Sequence, residues 1–119
     1  MLAEIPEAVA ELRTVDAQLQ AAVEPAGAQA VVEALAPMLA LYGIPRKSEG
    51  EAEAFWGFYI DTLGALPAEA LRAGVAEYVG DPKSEFFPKP GPLKAICDRH
   101  AIKVRMAASR SRKVLEIAT

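Results

Sequence analysis

The 119-residue chain has little of the chemistry that most metal and cofactor sites require. It contains one cysteine, Cys97, and one histidine, His100, which excludes an internal disulfide framework and a zinc site built from several cysteines. The two residues stand one helical turn apart, but a metal ion needs three or four ligands, so we expect both to be packed side chains. The sequence therefore predicts no metal site and indicates a reducing compartment.

Catalytic motifs are also lacking. The chain has no glycine-rich phosphate loop, no HExxH pair and no nucleophile elbow. The clustered carboxylates Glu49, Glu51 and Glu53 fall where a helix is expected to begin, and a favourable interaction with the helix dipole explains them. We therefore expect a non-enzymatic protein that uses no cofactor.

No long hydrophobic run is present. The longest apolar stretch, residues 34–44, has 11 residues and contains Pro37, whereas a membrane-spanning helix needs about 20. The first residues also lack the basic segment and apolar run of a secretory signal. We expect a cytoplasmic protein without a membrane partner.

Alanine, by contrast, is abundant, with 24 copies, and such a composition favours helix over sheet. Between residues 5 and 23, apolar residues recur at three- and four-residue spacing, which predicts an amphipathic helix. Its predicted stripe consists of Ile5, Val9, Leu12, Val15, Leu19 and Val23. Residues 28–42 are apolar on nearly all sides, so we expect burial, with Pro37 kinking or restarting the helix.

The second half of the chain predicts a helical hairpin followed by a long helix. Ser48 and Glu51 form the pattern of a capping box, which predicts a helix over residues 48–64, and Pro67 opens another over residues 68–79. The proline-rich residues 81–91 predict a non-helical turn. A last helix is expected from Pro92 to about residue 117.

Together these segments predict an all-α bundle of four to five helices with a long, basic C-terminal helix. The expected core joins the stripe of the first helix to the three segments that follow it, residues 28–42, 48–64 and 68–79. The last helix either closes this core through Leu93 and Ile96 or projects beyond it after about Val104.

Charge divides the chain unequally. Residues 1–80 hold 12 acidic and 4 basic side chains, whereas residues 81–119 hold 4 acidic and 9 basic ones. We therefore expect an acidic helical domain over residues 1–91 and a basic helix or arm over residues 92–119, which could pack on the same domain.

The basic residues of the last helix form two groups on a helical projection. Arg99, Lys103, Arg110 and Lys113 fall within about 80° of one another, and Lys94, Arg105 and Arg112 lie on the other flank of the apolar stripe. Such a helix can complement the acidic part of the chain, self-associate, contact nucleic acid or bind an acidic protein. The pattern leaves these alternatives open.

Residues 55–93 combine an aromatic helix, a second helix opened by Leu66-Pro67, and a proline-rich turn that opens the last helix. The residues of this pattern are Phe55, Trp56, Tyr59, Leu63, Leu71, Val75, Tyr78 and the run from Phe86 to Leu93. The pattern resembles small phage replication proteins of the helicase loader and inhibitor type. The resemblance implies a helical domain followed by a segment that binds the replicative helicase, in a phage or prophage protein acting inside a bacterial host. The helix from Pro92 would be the helicase-contacting segment.

The expected function is thus a DNA replication accessory protein that binds a replicative helicase or another replication protein. The alternatives are a small nucleic-acid-binding regulator and a structural or assembly protein that self-associates, as a homo-oligomer, through residues 28–42 or the last helix. The candidate partner-binding residues are Phe86, Phe87, Lys89, Arg99, Lys103, Arg105, Arg110, Arg112 and Lys113.

Overall fold

The computed structural model describes residues 4–43 and 47–119, which form five helices. They are α1 (Glu4–Ala22), α2 (Gly27–Tyr42), α3 (Glu49–Leu63), α4 (Ala68–Gly80) and α5 (Pro90–Ala118). Apart from one isolated β-bridge between Pro25 and Pro67, the described residues contain no strand pairing. The predicted all-α bundle with a long C-terminal helix is confirmed.

The helix ends follow the local sequence signals in most places. Ser48 Oγ accepts a hydrogen bond from the Glu51 backbone N–H at 3.3 Å, as the capping pattern predicts. Gly43 ends α2 with a positive φ of 65°, a conformation that glycine adopts without strain. Pro37, however, lies inside one uninterrupted α2, so the predicted restart of the helix does not occur.

The last helix begins at Pro90, two residues before the predicted start. Pro90 and Gly91 were expected in the non-helical turn, which was wrong. Proline is tolerated in the first turn of a helix because the N–H that it lacks would have no intrahelical partner there. The turn therefore comprises residues 81–89, and Lys89, with extended backbone, precedes the helix.

A single hydrophobic core joins α2, α3, α4 and the first half of α5. Its buried side chains are Val31, Leu35, Met38, Tyr59, Leu63, Leu66, Ala70, Leu71, Leu93, Cys97 and Ala101. We call this part, comprising α2, α3, α4 and residues 90–103, the body.

Within the body, α4 and α5 approach closely at Gly74 and Cys97. A Cβ atom placed on Gly74 would lie 3.0 Å from the Cys97 Cα atom, closer than real Cβ atoms ordinarily come. Glycine at this position therefore permits the two helices to pack at the observed distance.

Helix α1 does not join that core, so the prediction that its stripe would be part of the core was wrong. Instead, α1 packs on α5, and its side-chain contacts are with Ala108, Ser111 and Arg112 in the second half of that helix. Val15, which was expected to be on the buried stripe, is 48% exposed, whereas Asp16 is 3% exposed. The reason is that a helix packed on one neighbour buries a narrow strip, and Val15 falls beside that strip.

We call α1 together with residues 104–118 of α5 the arm. It extends from the body and gives the molecule dimensions of 65 × 31 × 19 Å. The last helix combines parts of the two arrangements expected for it. Leu93 is buried in the core, whereas Ile96 is only partly buried and is not a core residue. The residues after Val104 lie beyond the core against α1. Hydrogen bonds from Ala26 N–H to Leu66 C=O and from Gly27 N–H to Gly64 C=O join the α1–α2 linker to the α3–α4 linker.

Candidate partner-binding surface

The buried face of α5 determines where its basic side chains can lie. One stripe, formed by Leu93, Cys97, Ala101 and Ala108, is buried against α4 in the body and against α1 in the arm. Because this stripe runs nearly the length of the helix, the cations of α5 are confined to its flanks and its solvent face.

Two of the predicted partner-binding cations are engaged within the protein. Arg99 Nη2 lies 2.5 Å from Glu77 Oε2 on α4, and His100 Nε2 lies 3.3 Å from the other oxygen of the same carboxylate. Arg112 Nη2 lies 2.9 Å from Asp16 Oδ2 on α1. Arg99 and Arg112 therefore connect α5 to its neighbours, and a partner would have to compete with these ion pairs.

Asp16 is the centre of a polar network in the arm. Its Oδ1 atom accepts hydrogen bonds of 3.1 Å from both Gln20 Nε2 and Ser111 Oγ, and Gln20 Nε2 also donates to Ala108 C=O at 2.9 Å. The apolar stripe predicted for residues 5–23 does not include Asp16, so sequence analysis missed this network. A signal was available, because Leu12, Asp16, Leu19 and Val23 are themselves spaced by three and four residues.

Four of the predicted cations of α5 have no ion-pair partner among residues 4–43 and 47–119. Lys103, Arg105, Arg110 and Lys113 are exposed, and no described carboxylate lies within 4.0 Å of them. Three of these, Lys103, Arg110 and Lys113, share the solvent face of α5 and are called the α5 ridge here. Arg105 lies on the opposite flank.

Apolar side chains are interleaved with the α5 ridge. Ile102, Met106 and Ile117 are 55%, 46% and 87% exposed, and they project within about 100° of the helix surface that carries the ridge cations. The solvent face of α5 is therefore both cationic and partly apolar.

The two phenylalanines of the 81–89 turn have different environments. Phe87 packs against Phe55 and Tyr59, with ring centroids 5.6 and 5.5 Å apart, whereas the Phe86 side chain is 76% exposed. Tyr59 Oη donates to the Pro88 carbonyl and Tyr78 Oη to the Phe86 carbonyl, both at 2.5 Å. Phe87 therefore anchors the turn, and Phe86 projects from a backbone that is held on both sides; Lys89 is exposed beside it.

Burial raises the pKa of two groups that could act as nucleophiles, Cys97 and Tyr59. Burial, with smaller contributions from Asp98 and Glu77, raises the pKa of the Cys97 thiol to about 11. Burial, and then the neighbouring Tyr78, also raises the pKa of the Tyr59 hydroxyl. Neither group is activated for covalent chemistry.

A groove of about 450 Å³ lies between α2 and α4. Its lining is mostly apolar, and the charged side chains Glu33 and Arg72 come from opposite helices. The groove holds none of the predicted partner-binding residues.

Within the described ranges, no three His, Cys, Asp or Glu side chains are grouped so that they could hold a metal ion. None of the helices in this described part of the chain is long and apolar enough to cross a membrane. Comparison of the chain with protein-family models, curated proteins and solved structures finds no match.

Proposed function

We propose that this protein is a non-enzymatic, phage-type DNA replication accessory protein that binds a replicative helicase through the solvent face of α5. The observation that carries the proposal is the α5 ridge, three exposed cations that have no ion-pair partner among the described residues and that are interleaved with exposed apolar side chains. A cationic and partly apolar helix face fits an acidic protein surface that also offers apolar contacts.

The apolar component favours a protein partner over nucleic acid. Ile102, Met106 and Ile117 would gain little against a phosphate backbone, whose contacts with proteins are mainly made by basic and polar groups. The ridge also contains no aromatic residue that could stack on the bases of a single strand. A nucleic-acid-binding regulator is the second candidate, because three adjacent cations can also contact phosphates.

Phe86 supplies a second contact in this proposal. Two hydrogen bonds already fix the backbone around Phe86, so the turn loses little backbone freedom when a partner binds. Exposed aromatic side chains contribute a large share of the binding free energy in many interfaces. The protein would hold the helicase in an inactive or loadable state through these contacts, and the ridge cations would accelerate association by electrostatic steering.

The experiment must leave α5 in place. Truncation after Gly91 removes Leu93, Cys97 and Ala101 from the core, so loss of binding by the truncated chain would report unfolding. The ridge is tested instead with the triple variant Lys103→Gln, Arg110→Gln, Lys113→Gln. The matched control is Arg13→Gln, Arg72→Gln, Lys83→Gln, which changes the net charge equally and also alters exposed residues.

Binding of each variant to a purified hexameric replicative helicase is measured by titration at two salt concentrations. We expect the ridge variant to bind at least about tenfold more weakly and the control within about twofold of the parent chain. Equal effects of the two variants would contradict the role of the ridge. A parallel titration with duplex DNA tests the second candidate, for which affinity would fall steeply with salt and less steeply in the ridge variant.

A second pair of variants tests Phe86. Phe86→Ala removes the projecting side chain of the turn, and Phe58→Ala removes a similarly exposed phenylalanine, 67% exposed, from α3. We expect Phe86→Ala to weaken helicase binding more than Phe58→Ala does. If Phe58→Ala weakened helicase binding more than Phe86→Ala, the 81–89 turn would not be part of the proposed helicase contact.

A further inference from the structure

The first half of the 81–89 turn is closed by its own hydrogen bonds. The Asp81 carboxylate accepts a hydrogen bond from the Lys83 backbone N–H at 2.9 Å, and the Asp81 carbonyl accepts one from the Ser84 N–H at 3.0 Å. An aspartate that bonds to the backbone two residues further on stabilises a tight turn. The chain therefore leaves α4 along a defined path.

The second half of the turn is anchored by packing. The Phe87 ring lies against the rings of Phe55 and Tyr59. The Tyr59 hydroxyl donates to the Pro88 carbonyl in a buried hydrogen bond. Pro88 also fixes its own φ and disfavours helical backbone at Phe87. Residues 87 and 88 are thus held by aromatic packing, by a hydrogen bond and by the proline ring.

Phe86 lies between these two halves and is restrained in another way. Its side chain is 76% exposed, so packing does not hold it. Its carbonyl accepts a hydrogen bond from the hydroxyl of Tyr78, in the last turn of α4. Among the described residues this is the only hydrogen bond that Phe86 makes. The Tyr78 hydroxyl is therefore the direct restraint on the residue that carries the exposed ring.

The Tyr78 hydroxyl comes from a side chain that is itself held. The Tyr78 ring packs edge-on against Tyr42, with ring centroids 5.9 Å apart, and both rings lie against the hydrophobic core. A hydroxyl on a ring fixed by packing directs its hydrogen bond to one point in space. The restraint on Phe86 is thus connected to the core of the body.

We propose that Tyr78 is a positioning residue for Phe86, and that the ring it positions enters an apolar pocket of the partner. This inference rests on the proposed binding of a helicase and specifies one contact within it. An aromatic ring contributes most when it fills a desolvated pocket, which it can do in one orientation of its backbone. Ordering the backbone of one residue during binding lowers affinity on the order of tenfold, and a turn that is ordered beforehand avoids this loss.

The first test compares Tyr78→Phe with Tyr42→Phe in the full chain. Each variant removes one hydroxyl and keeps the ring, but the Tyr42 hydroxyl is not bonded to the 81–89 turn. Backbone order parameters from nitrogen NMR relaxation should be about 0.85 at Phe86 in the parent chain and in Tyr42→Phe, and should fall towards about 0.6 in Tyr78→Phe. An unchanged order parameter in Tyr78→Phe would overturn the proposed restraint.

The second test is a double-mutant cycle in binding to the purified hexameric helicase. We expect Tyr78→Phe to weaken binding about three- to tenfold and Tyr42→Phe less than about twofold. In the Phe86→Ala background, Tyr78→Phe should have less than about a twofold effect, because no ring remains to be positioned. A merely structural role would weaken binding equally in both backgrounds. That result, or unchanged binding by Tyr78→Phe alone, would overturn the proposal.

The two tests separate failure of this inference from failure of the proposed function. If Phe86→Ala weakens helicase binding and Tyr78→Phe does not, the helicase contact stands and the positioning role is wrong. If the parent chain does not bind the helicase, the proposed function and the pocket for Phe86 are overturned together. The order parameters of the chain alone still decide in that case whether Tyr78 holds the turn.

Discussion

The two halves of α5 belong to one continuous helix but are stabilised differently. In the body, α5 is covered by helices that bury Leu93, Cys97 and Ala101, and Gly74 permits close approach of α4. In the arm, α5 is covered by α1, and the most buried side chains are Ala108 and the carboxylate-bearing Asp16. A helix that several helices surround can bury apolar side chains on more than one side. A helix with one neighbour leaves the side chains at the edges of that contact exposed to water.

We therefore expect distinct roles for the apolar packing in the body and the polar network in the arm. Apolar packing in the body contributes most of the free energy of folding, because it scales with the surface removed from water. A polar network contributes less net stability but specifies which residues face each other, since its donors and acceptors must match. We therefore expect the Asp16 network to specify the register of α1 on α5. The predictions that test this comparison begin with the largest expected effect.

Leu93→Ala and Leu115→Ala compare the same substitution in the two halves of α5. Leu93 is completely buried, so its truncation should destabilise the protein by about 3 kcal/mol, whereas the half-buried Leu115 should cost about 1 kcal/mol. Urea denaturation monitored by circular dichroism measures both. Equal losses would show that the arm is packed as tightly as the body.

Gly74→Ala tests the close approach of α4 and α5. The added Cβ atom would be forced against the Cys97 backbone, which we expect to cost about 2 kcal/mol even though alanine is the better helix former. Gly57→Ala in α3 is the control, because a Cβ atom there meets nothing within 4 Å. A stabilised Gly74→Ala variant would contradict the tight packing of these helices.

Asp16→Ala should destabilise the protein by about 1 to 2 kcal/mol, because Gln20 and Ser111 lose an acceptor in the half-buried interface. Arg112 is 52% exposed and can return to water, which limits the cost. A double-mutant cycle with Arg112→Ala should give a coupling of about 0.5 to 1 kcal/mol. A coupling energy near zero would show that the Asp16–Arg112 ion pair does not stabilise the packing of α1 on α5.

Thiol reactivity compares local opening of the two halves. Cys97 is buried and its pKa is raised to about 11, so it should react slowly with a disulfide reagent at pH 8 until the protein unfolds. Moving the thiol to the arm with Cys97→Ala and Ala108→Cys should increase the rate at least about tenfold, because α1 can detach without unfolding the body. Similar rates would indicate that the halves open together.

The same pKa shift makes stability depend on pH in the alkaline range. A thiol with a folded-state pKa above its unfolded value stabilises the folded protein while protonated, so this contribution is lost as pH rises from about 9 to about 11. In Cys97→Ala the stability should fall less over that range. If the free energy of unfolding fell equally with pH in the parent chain and in Cys97→Ala, titratable groups other than Cys97 would be responsible.

The smallest effect is expected from the exposed ion pair between Glu77 and Arg99. With 40% and 64% of these side chains exposed, Glu77→Gln should change the free energy of unfolding by less than about 0.5 kcal/mol, and added salt should reduce the difference. A larger, salt-independent loss would mean that this pair, like the Asp16 network, helps to position α5.

Local signals in the chain predicted much of the fold but not the partners of each helix. The capping serine at Ser48, the proline at Pro67 and the glycine at Gly43 predicted where helices begin or end, because such signals act on the backbone next to them. The apolar stripe of residues 5–23 correctly predicted a helix, but the expectation that this helix would pack in the core was wrong. Periodicity shows that a helix has a buried face and not which element covers it.

The candidate site was predictable in part for the same reason. Charge and spacing predicted that α5 would display cations, since a helix with one buried face must place its charges elsewhere. Which cations stay free was not predictable, because Asp16 and Arg112 are 96 positions apart in the chain and meet only through the antiparallel packing of α1 and α5. The same holds for Phe86 and Phe87, adjacent residues that differ because Phe55 and Tyr59 cover one of them.

The sequence by itself determined the helices, the near absence of cysteine and histidine chemistry, and the concentration of positive charge in the last segment. These properties depend on composition and on neighbours a few residues apart. The tertiary structure decided that α5 is shared by a body and an arm and that Asp16 is buried. It also decided that Lys103, Arg110 and Lys113 form no ion pair with any carboxylate in the described part of the chain. Such properties depend on contacts between residues far apart in the chain, which a local pattern does not encode.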